Sequence, residues 1–370
     1  MYVNRKHINL RFAHYQILLL VSRFNYMKIL FAIQGTGNGH ISRAREIVPL
    51  LQQHGEVDLL ISGTQADVSL DQPLNYRFHG FSFIFGKKGS VNHWQTYRQM
   101  NLFKLKKDIS SLPLHKYNLI INDFEPVTAW ACKLQGRQSI SLSHQASFIS
   151  EKTPRPSGNY NWAELVLKYY APATHHIGFH FQSYDKFINT PVIRSEIRNR
   201  EPNDKGHITV YLPSFDDKFL LPFLQKLPGI KWEVYSKHCD TSYRDKNVWV
   251  SPVSNLEYNT SVVNCHGLLT GGGFEGPAEA LFLGKKVMMI PMKGQFEQQC
   301  NAEAAKQMGV PVLYCLNERF VTALSNWIEQ PFTVKSNFAN QTENIINNLV
   351  QNFSTPYPVS SSGLLSKSFL

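Results

Sequence analysis

From Met27 onward, short apolar runs alternate with stretches of helical period, and after one polar break the alternation begins again. This is the pattern of βαβ units around a mainly parallel sheet. In the first round, strands are expected over Lys28–Gln34, Val57–Ser62, Tyr117–Asn122, Ser139–Ser143 and His176–Phe181, with helices over Ile41–Gln53, Val127–Leu134 and Trp162–Tyr170. The break is RSEIRNREPNDKG, Arg194 to Gly206, which is charged, carries Pro and Gly, and lacks a sustained apolar period. A second round follows: strands at His207–Leu212, Lys231–Tyr235, Val248–Val250, Gly267–Thr270 and Val287–Pro291, helices at Asp216–Gln225 and Ser254–Asn264, and a final helix at Ala339–Phe353. The expected organisation is an extension at residues 1–26, Rossmann-like domains at 27–198 and 199–353, and a flexible tail at 354–370. The last helix is expected to pack back on the first domain.

Length agrees with two domains, since 370 residues suffice for two ordinary cores. Five scattered cysteines without a CxxC pair suggest neither a disulfide framework nor a zinc cluster, and fit a reducing cytoplasm. A net charge of +11 favours anionic partners, with a nucleotide, an anionic membrane face and nucleic acid all open on charge alone. Residues 1–26 are basic and carry Ile17-Leu-Leu-Leu-Val, but no apolar stretch of the about 18 residues a spanning helix needs. Met27-Lys-Ile-Leu reads as a natural start, which makes those residues an upstream extension outside the fold.

Two glycine-rich turns follow strands. The first is GTGNGH, Gly35 to His40; it fails as a nicotinamide fingerprint because its glycines run GxGxG and the next acidic residues, Glu56 and Asp58, precede or lie within the following strand. The second is GGGFEGPAEAL, from Gly271, with Pro277 in the first turn of a helix, where a missing N–H is no loss. The free amides of such a helix start can hold a diphosphate. Glu279, in the same turn, can accept hydrogen bonds from a ribose diol or simply complement the helix dipole. Pro291 to Ala302 then follows a strand at its C-terminal edge, where open α/β sheets bind ligands, and its Glu297 and Gln298 suit sugar hydroxyls.

The glycine loop, Glu279 and GKKVMMIPMKGQFEQQCNA together resemble the donor site of GT-B glycosyltransferases, notably the UDP-glucuronosyl and glycosyl transferases and the N-acetylglucosaminyltransferase that makes lipid II. Bacterial proteins labelled glycosyltransferase-like are similar too. The resemblance spans Met27 to about Phe353 and is strongest in GTGNGHISRA and in Gly271 to Ala302. It implies two Rossmann-like domains facing across a cleft. Gly272 and Gly273 would meet the diphosphate, Glu279 the ribose, and Glu297 with Gln298 the transferred sugar. Ser214 stands where the family often has a phosphate-contacting loop, although Leu212-Pro-Ser-Phe replaces its glycines. His40 would be the general base of an inverting transfer, with Gly37, Asn38 and Gly39 as the loop at the cleft. Asp123 would be its orienting carboxylate, with Glu125 able to substitute; on local pattern alone, His40 could equally cap a helix or face solvent, and Asp123 could be a helix N-cap.

The implied reaction moves a sugar from a nucleoside diphosphate donor, taken as UDP-linked, to a carbohydrate or lipid-linked hydroxyl acceptor, without metal, cofactor or nucleic acid. An epimerase of the same fold and a non-catalytic sugar-nucleotide binding protein are the alternatives. His175, His176 and His180 lack acidic or thiolate companions at metal-ligand spacing and read as strand histidines. His144 reads as either a cleft or a core residue. Phe85 to Ile109 combines Lys87, Lys88, Arg98, Lys104, Lys106 and Lys107 with Trp94, Tyr97, Leu102, Phe103 and Leu105. It suits either a peripheral contact with an anionic membrane, at its inner face, or an amphipathic helix packed on its own domain.

Overall fold

The structure, a computed structural model, describes residues 27–63, 70, 72–79, 102–158, 160–331, 334 and 336–354. Within them the strands form a seven-stranded and a six-stranded sheet. The first runs β3 (Tyr76–Phe78), β2 (Glu56–Ser62), β1 (Lys28–Gln34), β4 (Leu119–Asp123), β5 (Ile140–Ser143), β6 (His175–Phe179), β7 (Ile188–Asn189), all parallel. The second runs β10 (Tyr243–Asp245), β11 (Val248–Pro252), β9 (Lys231–Ser236), β8 (His207–Tyr211), β12 (Gly267–Gly271), β13 (Lys286–Ile290). There only the β10–β11 pair is antiparallel.

Both sheets are covered on two faces, and the side-chain alternation of β1 shows how. Ile29, Phe31 and Ile33 pack with Ile41, Ala44, Ile47, Val48 and Leu51 of α1 (Asn38–Gln52). Leu30 and Ala32 pack on the other face with Val127 and Ala131 of α3 (Pro126–Leu134), joined by Leu105 and Ile109 of α2 (Leu102–Ser111). Each fully buried Ile, Leu, Val or Phe among them contributes about 1.5–3 kcal/mol, an alanine methyl less. The parallel order, with helices on either face, is the architecture expected from the alternation.

Strand order reverses once in each sheet. From β1 the chain moves through α1 to β2 on one side and later returns to β4 on the other, so the C-terminal ends of β1 and β4 flank an open crevice. The second sheet repeats this at β8 and β12, with β9 on the far side of β8. The segment joining the halves includes α5 (Ser195–Arg198), and Val192, Ile193 and Ile197 belong to the same core as α8 (Glu275–Phe282) residues Ala278 and Leu281. Last in the chain, α11 (Thr342–Phe353) lies against α1: Ile346, Leu349 and Val350 are buried, and Asn347 hydrogen-bonds His54 at 2.8 Å.

Other elements lie outside the expectations from sequence. β3, β7 and β10 are two or three residues long, too short to carry a periodic signal. Helix α10 (Glu318–Glu329) is different, because Phe320, Leu324 and Trp327 sit at helical spacing and fill the second core. Residues 85–101 of the basic aromatic segment lie outside the described residues.

The start of α3 depends on one carboxylate. Glu125 accepts from the Val127 and Thr128 amides at 2.7 Å each, and from the Ser62 hydroxyl at 2.6 Å. Pro126 occupies the first turn, where it displaces no hydrogen bond. Replacing Glu125 by Ala strands these buried donors, and should lower stability by about 2 kcal/mol, read as a lower urea midpoint in fluorescence-monitored unfolding.

Candidate active site

The first crevice is built by β1, α1 and β4. Gly37 caps α1 at φ 95°, a torsion that side-chain-bearing residues rarely adopt, while no atom lies near its missing Cβ; backbone shape is what demands glycine there. The turn places His40 in the first turn of α1, 8% exposed, with Nδ1 2.8 Å from Asp123 Oδ1. Asp123 is completely buried at the end of β4, in register with Ile33 of β1. With Nδ1–H donating to the carboxylate, Nε2 is the ring nitrogen left as acceptor. Phe124, at φ 56°, turns the chain sharply between Asp123 and Glu125, so that Asp123 meets His40 while Glu125 caps α3. Glu125 is therefore occupied, and the carboxylate that meets the imidazole is Asp123.

A third member is Arg43, one helical turn beyond His40. Its Nε donates to Asp123 Oδ2 at 3.0 Å and its Nη2 lies 2.7 and 2.8 Å from the two carboxylate oxygens. Burial opposes the charge on Asp123, but Arg43 and His40 outweigh it and hold the carboxyl below its usual range. Burial pushes the Glu125 carboxyl up, against its hydrogen bonds from Ser62 and the helix amides.

In the second half the glycine loop divides its labour. Gly272 donates its N–H to Gln298 Oε1 at 3.1 Å, and a Cβ on it would lie 2.6 Å from the Cβ and carbonyl oxygen of Gln298. It is thus a packing glycine that lets α9 (Phe296–Gln307) approach, and its amide is not directed at the crevice as the resemblance implied. Gly273 has open space around it and lines the crevice with Gly271 and Gly276. Gln298, expected at the transferred sugar, uses the same oxygen to accept from the Met292 amide at 3.0 Å and so braces the loop. Glu279 has both oxygens gripped by Arg194, at 2.6 Å each, so a ribose diol would have to share this carboxylate with a guanidinium. Burial raises the Glu279 carboxyl despite Arg194.

These groups share one cavity of about 860 Å³ between the halves. It is lined by Gly37, Asn38, Gly39, His40 and Phe124 from the first half and by Ser214, Gly273, Glu279, Glu297 and Gln298 from the second. Asp123 and Gly272 stand behind its wall. The halves touch along a polar seam: Arg43 pairs with Glu275, Gln145 donates to Glu297 at 3.2 Å, and His144 lies 2.8 Å from the Asn301 amide. His144 also stacks on Phe274 with ring centroids 3.9 Å apart. It is at once a cavity-lining and a buried residue, and burial pushes its imidazole down.

His180 is buried in the same aromatic cluster, while the His175 ring lies tilted against Phe353, 4.5 Å between centroids. Among the described residues no three His, Cys, Asp or Glu side chains converge in a way that would hold a metal ion. Arg43, Glu275, Arg194 and Asn301 escaped the reading of the sequence. Arg43 alone had a local signal, its three-residue spacing from His40 on one helix face.

The sign of the Asp123 shift fixes a pH dependence. Because its folded carboxyl binds a proton less readily than an unfolded aspartate near 3.9, the stabilisation is present above that value and is lost as pH falls through the lower folded one. Asp123→Asn takes from buried Arg43 one of its two carboxylate partners and leaves it Glu275, which should cost about 1.5–3 kcal/mol at neutral pH. Calorimetric Tm measured against pH should show both the loss and, in the variant, a shallower decline on the acid side.

Residues 27–326 match the family model described as glycosyl transferase family 1. No curated protein matches the chain by sequence. Among solved structures, MurG of Acinetobacter baumannii is similar at TM-score 0.51 and 12% identity, over 88% of this chain and 99% of that one. The glycosyltransferase SsfS6 of Streptomyces sp. SF2575, solved with thymidine diphosphate, gives 0.53 and 13%, over 90% and 97%. UGT2 of Phytolacca americana, solved with UDP-2fluoro-glucose and pterostilbene, gives 0.55 and 14%, over 89% and 94%. At such identities the structures speak for a shared fold, two facing Rossmann-like domains, and the family match goes further: the chain is a glycosyltransferase and belongs to glycosyl transferase family 1.

Proposed function

We propose that this glycosyltransferase inverts the anomeric centre as it moves a sugar from a UDP-linked donor to a hydroxyl acceptor, without a metal ion. The observation that carries this reading is the His40–Asp123 pair opening on the same cavity as the start of α8. His40 Nε2 takes the proton of the acceptor hydroxyl, and the oxygen attacks the anomeric carbon from the side opposite the diphosphate. Asp123 steadies the imidazolium that forms. The C1–O bond breaks as the new one forms, and the charge on the departing diphosphate falls on the Gly273 loop and the first amides of α8. Glu297 faces the transferred sugar, and Ser214 reaches the phosphates from the loop after β8. The diphosphates bound in SsfS6 and UGT2 support a nucleoside diphosphate donor.

The acceptor is a carbohydrate or lipid-linked hydroxyl, entering from the first half. Trp162, Leu165 and Tyr169 are exposed along α4 (Asn161–Tyr169), and the next residue, Tyr170, lines the cavity. On α2, Leu105 and Ile109 pack on the domain, whereas Phe103 is 90% exposed beside Lys104, Lys106 and Lys107. No helix among the described residues is long and apolar enough to cross a membrane. This surface and the net charge support a peripheral contact with an anionic membrane, at its inner face.

Three experiments test the reading. In a thermal-shift screen of nucleotides and nucleotide sugars, UDP compounds should raise Tm selectively. With the donor so found, His40→Ala should keep that shift while sugar transfer drops about 10²- to 10⁴-fold; wild-type turnover would remove His40 from the base role. In co-sedimentation, vesicles containing phosphatidylserine should retain the wild type and release a Lys104→Glu, Lys106→Glu, Lys107→Glu variant. Equal recovery of both would discard the membrane contact.

A further inference from the structure

Arg43 keeps the buried Asp123 carboxylate ionised, but its hydrogen bonds reach past that carboxylate. Arg43 has a side chain just 2% exposed, and its five N–H donors are shared between the two halves of the molecule. One edge forks onto Asp123; Nη1 goes to Glu275, the first residue of α8; and Nη2 lies 3.1 Å from His40 Nδ1. The guanidinium thus touches both the imidazole and its carboxylate on one side and a second carboxylate on the other. The second carboxylate comes from the helix that adjoins the glycine loop.

Each neighbour sets how much of the Asp123 charge is left for His40. A guanidinium clamped on Asp123 cancels part of the negative field that would stabilise an imidazolium. Glu275 draws on the same guanidinium from the opposite side and so restores part of that field. Glu297, from α9, acts on Arg43 in the same sense from further away. Glu275 can do this only while the halves are apposed. Its carboxylate lies against Gly39, and any side chain at position 39 would collide with it.

We propose that Arg43 is a positioning residue for sugar transfer, holding the Asp123 carboxylate against His40 and, through Glu275, tying the charge balance of the pair to the apposition of the two halves. The inference rests on His40 being the base. Closure of the halves then prepares the proton acceptor as well as enclosing the substrates, and in an open form the clamp on Asp123 is uncompensated.

The test follows the His40 imidazole by NMR in histidine-labelled protein without substrate, the signal being assigned by its loss in His40→Ala. Arg43→Gln removes the cation and should raise the His40 titration midpoint by about one pH unit or more. Glu275→Gln leaves the cation less compensated and should lower it. Arg43→Lys keeps the charge without the fork, and its midpoint should lie nearer the wild type than that of Arg43→Gln. Shifts of the same sign in Arg43→Gln and Glu275→Gln, or no shift in Glu275→Gln, would overturn the proposal. Should Arg43→Gln not fold, the downward shift in Glu275→Gln, whose side chain is 24% exposed, decides the matter alone. Variant shifts of the stated signs in a protein that transfers no sugar would count against the functional reading and leave the charge coupling standing.

Discussion

A charge at Asp123 is the constraint from which the site is built. The residue ends a central strand, has no exposure to water, and can hold its carboxylate ionised only because Arg43 and His40 are both within hydrogen-bond reach. Burying an ion pair is costly unless its remaining donors are satisfied. Arg43 accordingly spends its other edge on Glu275, and through that contact the first half of the molecule is bound to the second.

Strand order puts these groups where they can meet. Each sheet reverses direction beside its first strand, and each reversal leaves a crevice at the strands' C-terminal ends. His40 and Asp123 stand at one crevice, Ser214 and the glycine loop at the other, and the two crevices face each other across a single cavity. The seam of Gln145 with Glu297 and His144 with Asn301 and Phe274 keeps the apposition. α11 adds a second tie on the back of α1, far from the cavity in sequence but fixed to the same helix that carries His40 and Arg43.

The glycine loop illustrates how a motif can be legible while its parts are not. Three glycines at the end of β12 read as a phosphate cradle, yet Gly272 has its amide on Gln298 and serves helix packing, and Gly273 is the one left open. Glu279 likewise reads as a ribose ligand, yet Arg194 from the inter-domain segment holds both of its oxygens. Any ligand that uses Glu279 meets that guanidinium as well.

Periodicity by itself determined the parallel architecture, because a run of buried strands separated by helices has few other ways to satisfy its backbone and cover its faces. The sequence also marked the strand ends where chemistry collects, since Gly37 is needed by its local torsion and Gly272 by close approach. Tertiary structure alone decided which of two carboxylates, Asp123 or Glu125, meets His40: they are two residues apart, and the left-handed torsion at Phe124 sends one to the imidazole and the other to a helix cap. It also decided the pairings of Arg43 with Glu275 and of Arg194 with Glu279, which join residues 232 and 85 positions apart. Local spacing carries no record of such contacts, because they exist only once the two sheets have been brought face to face.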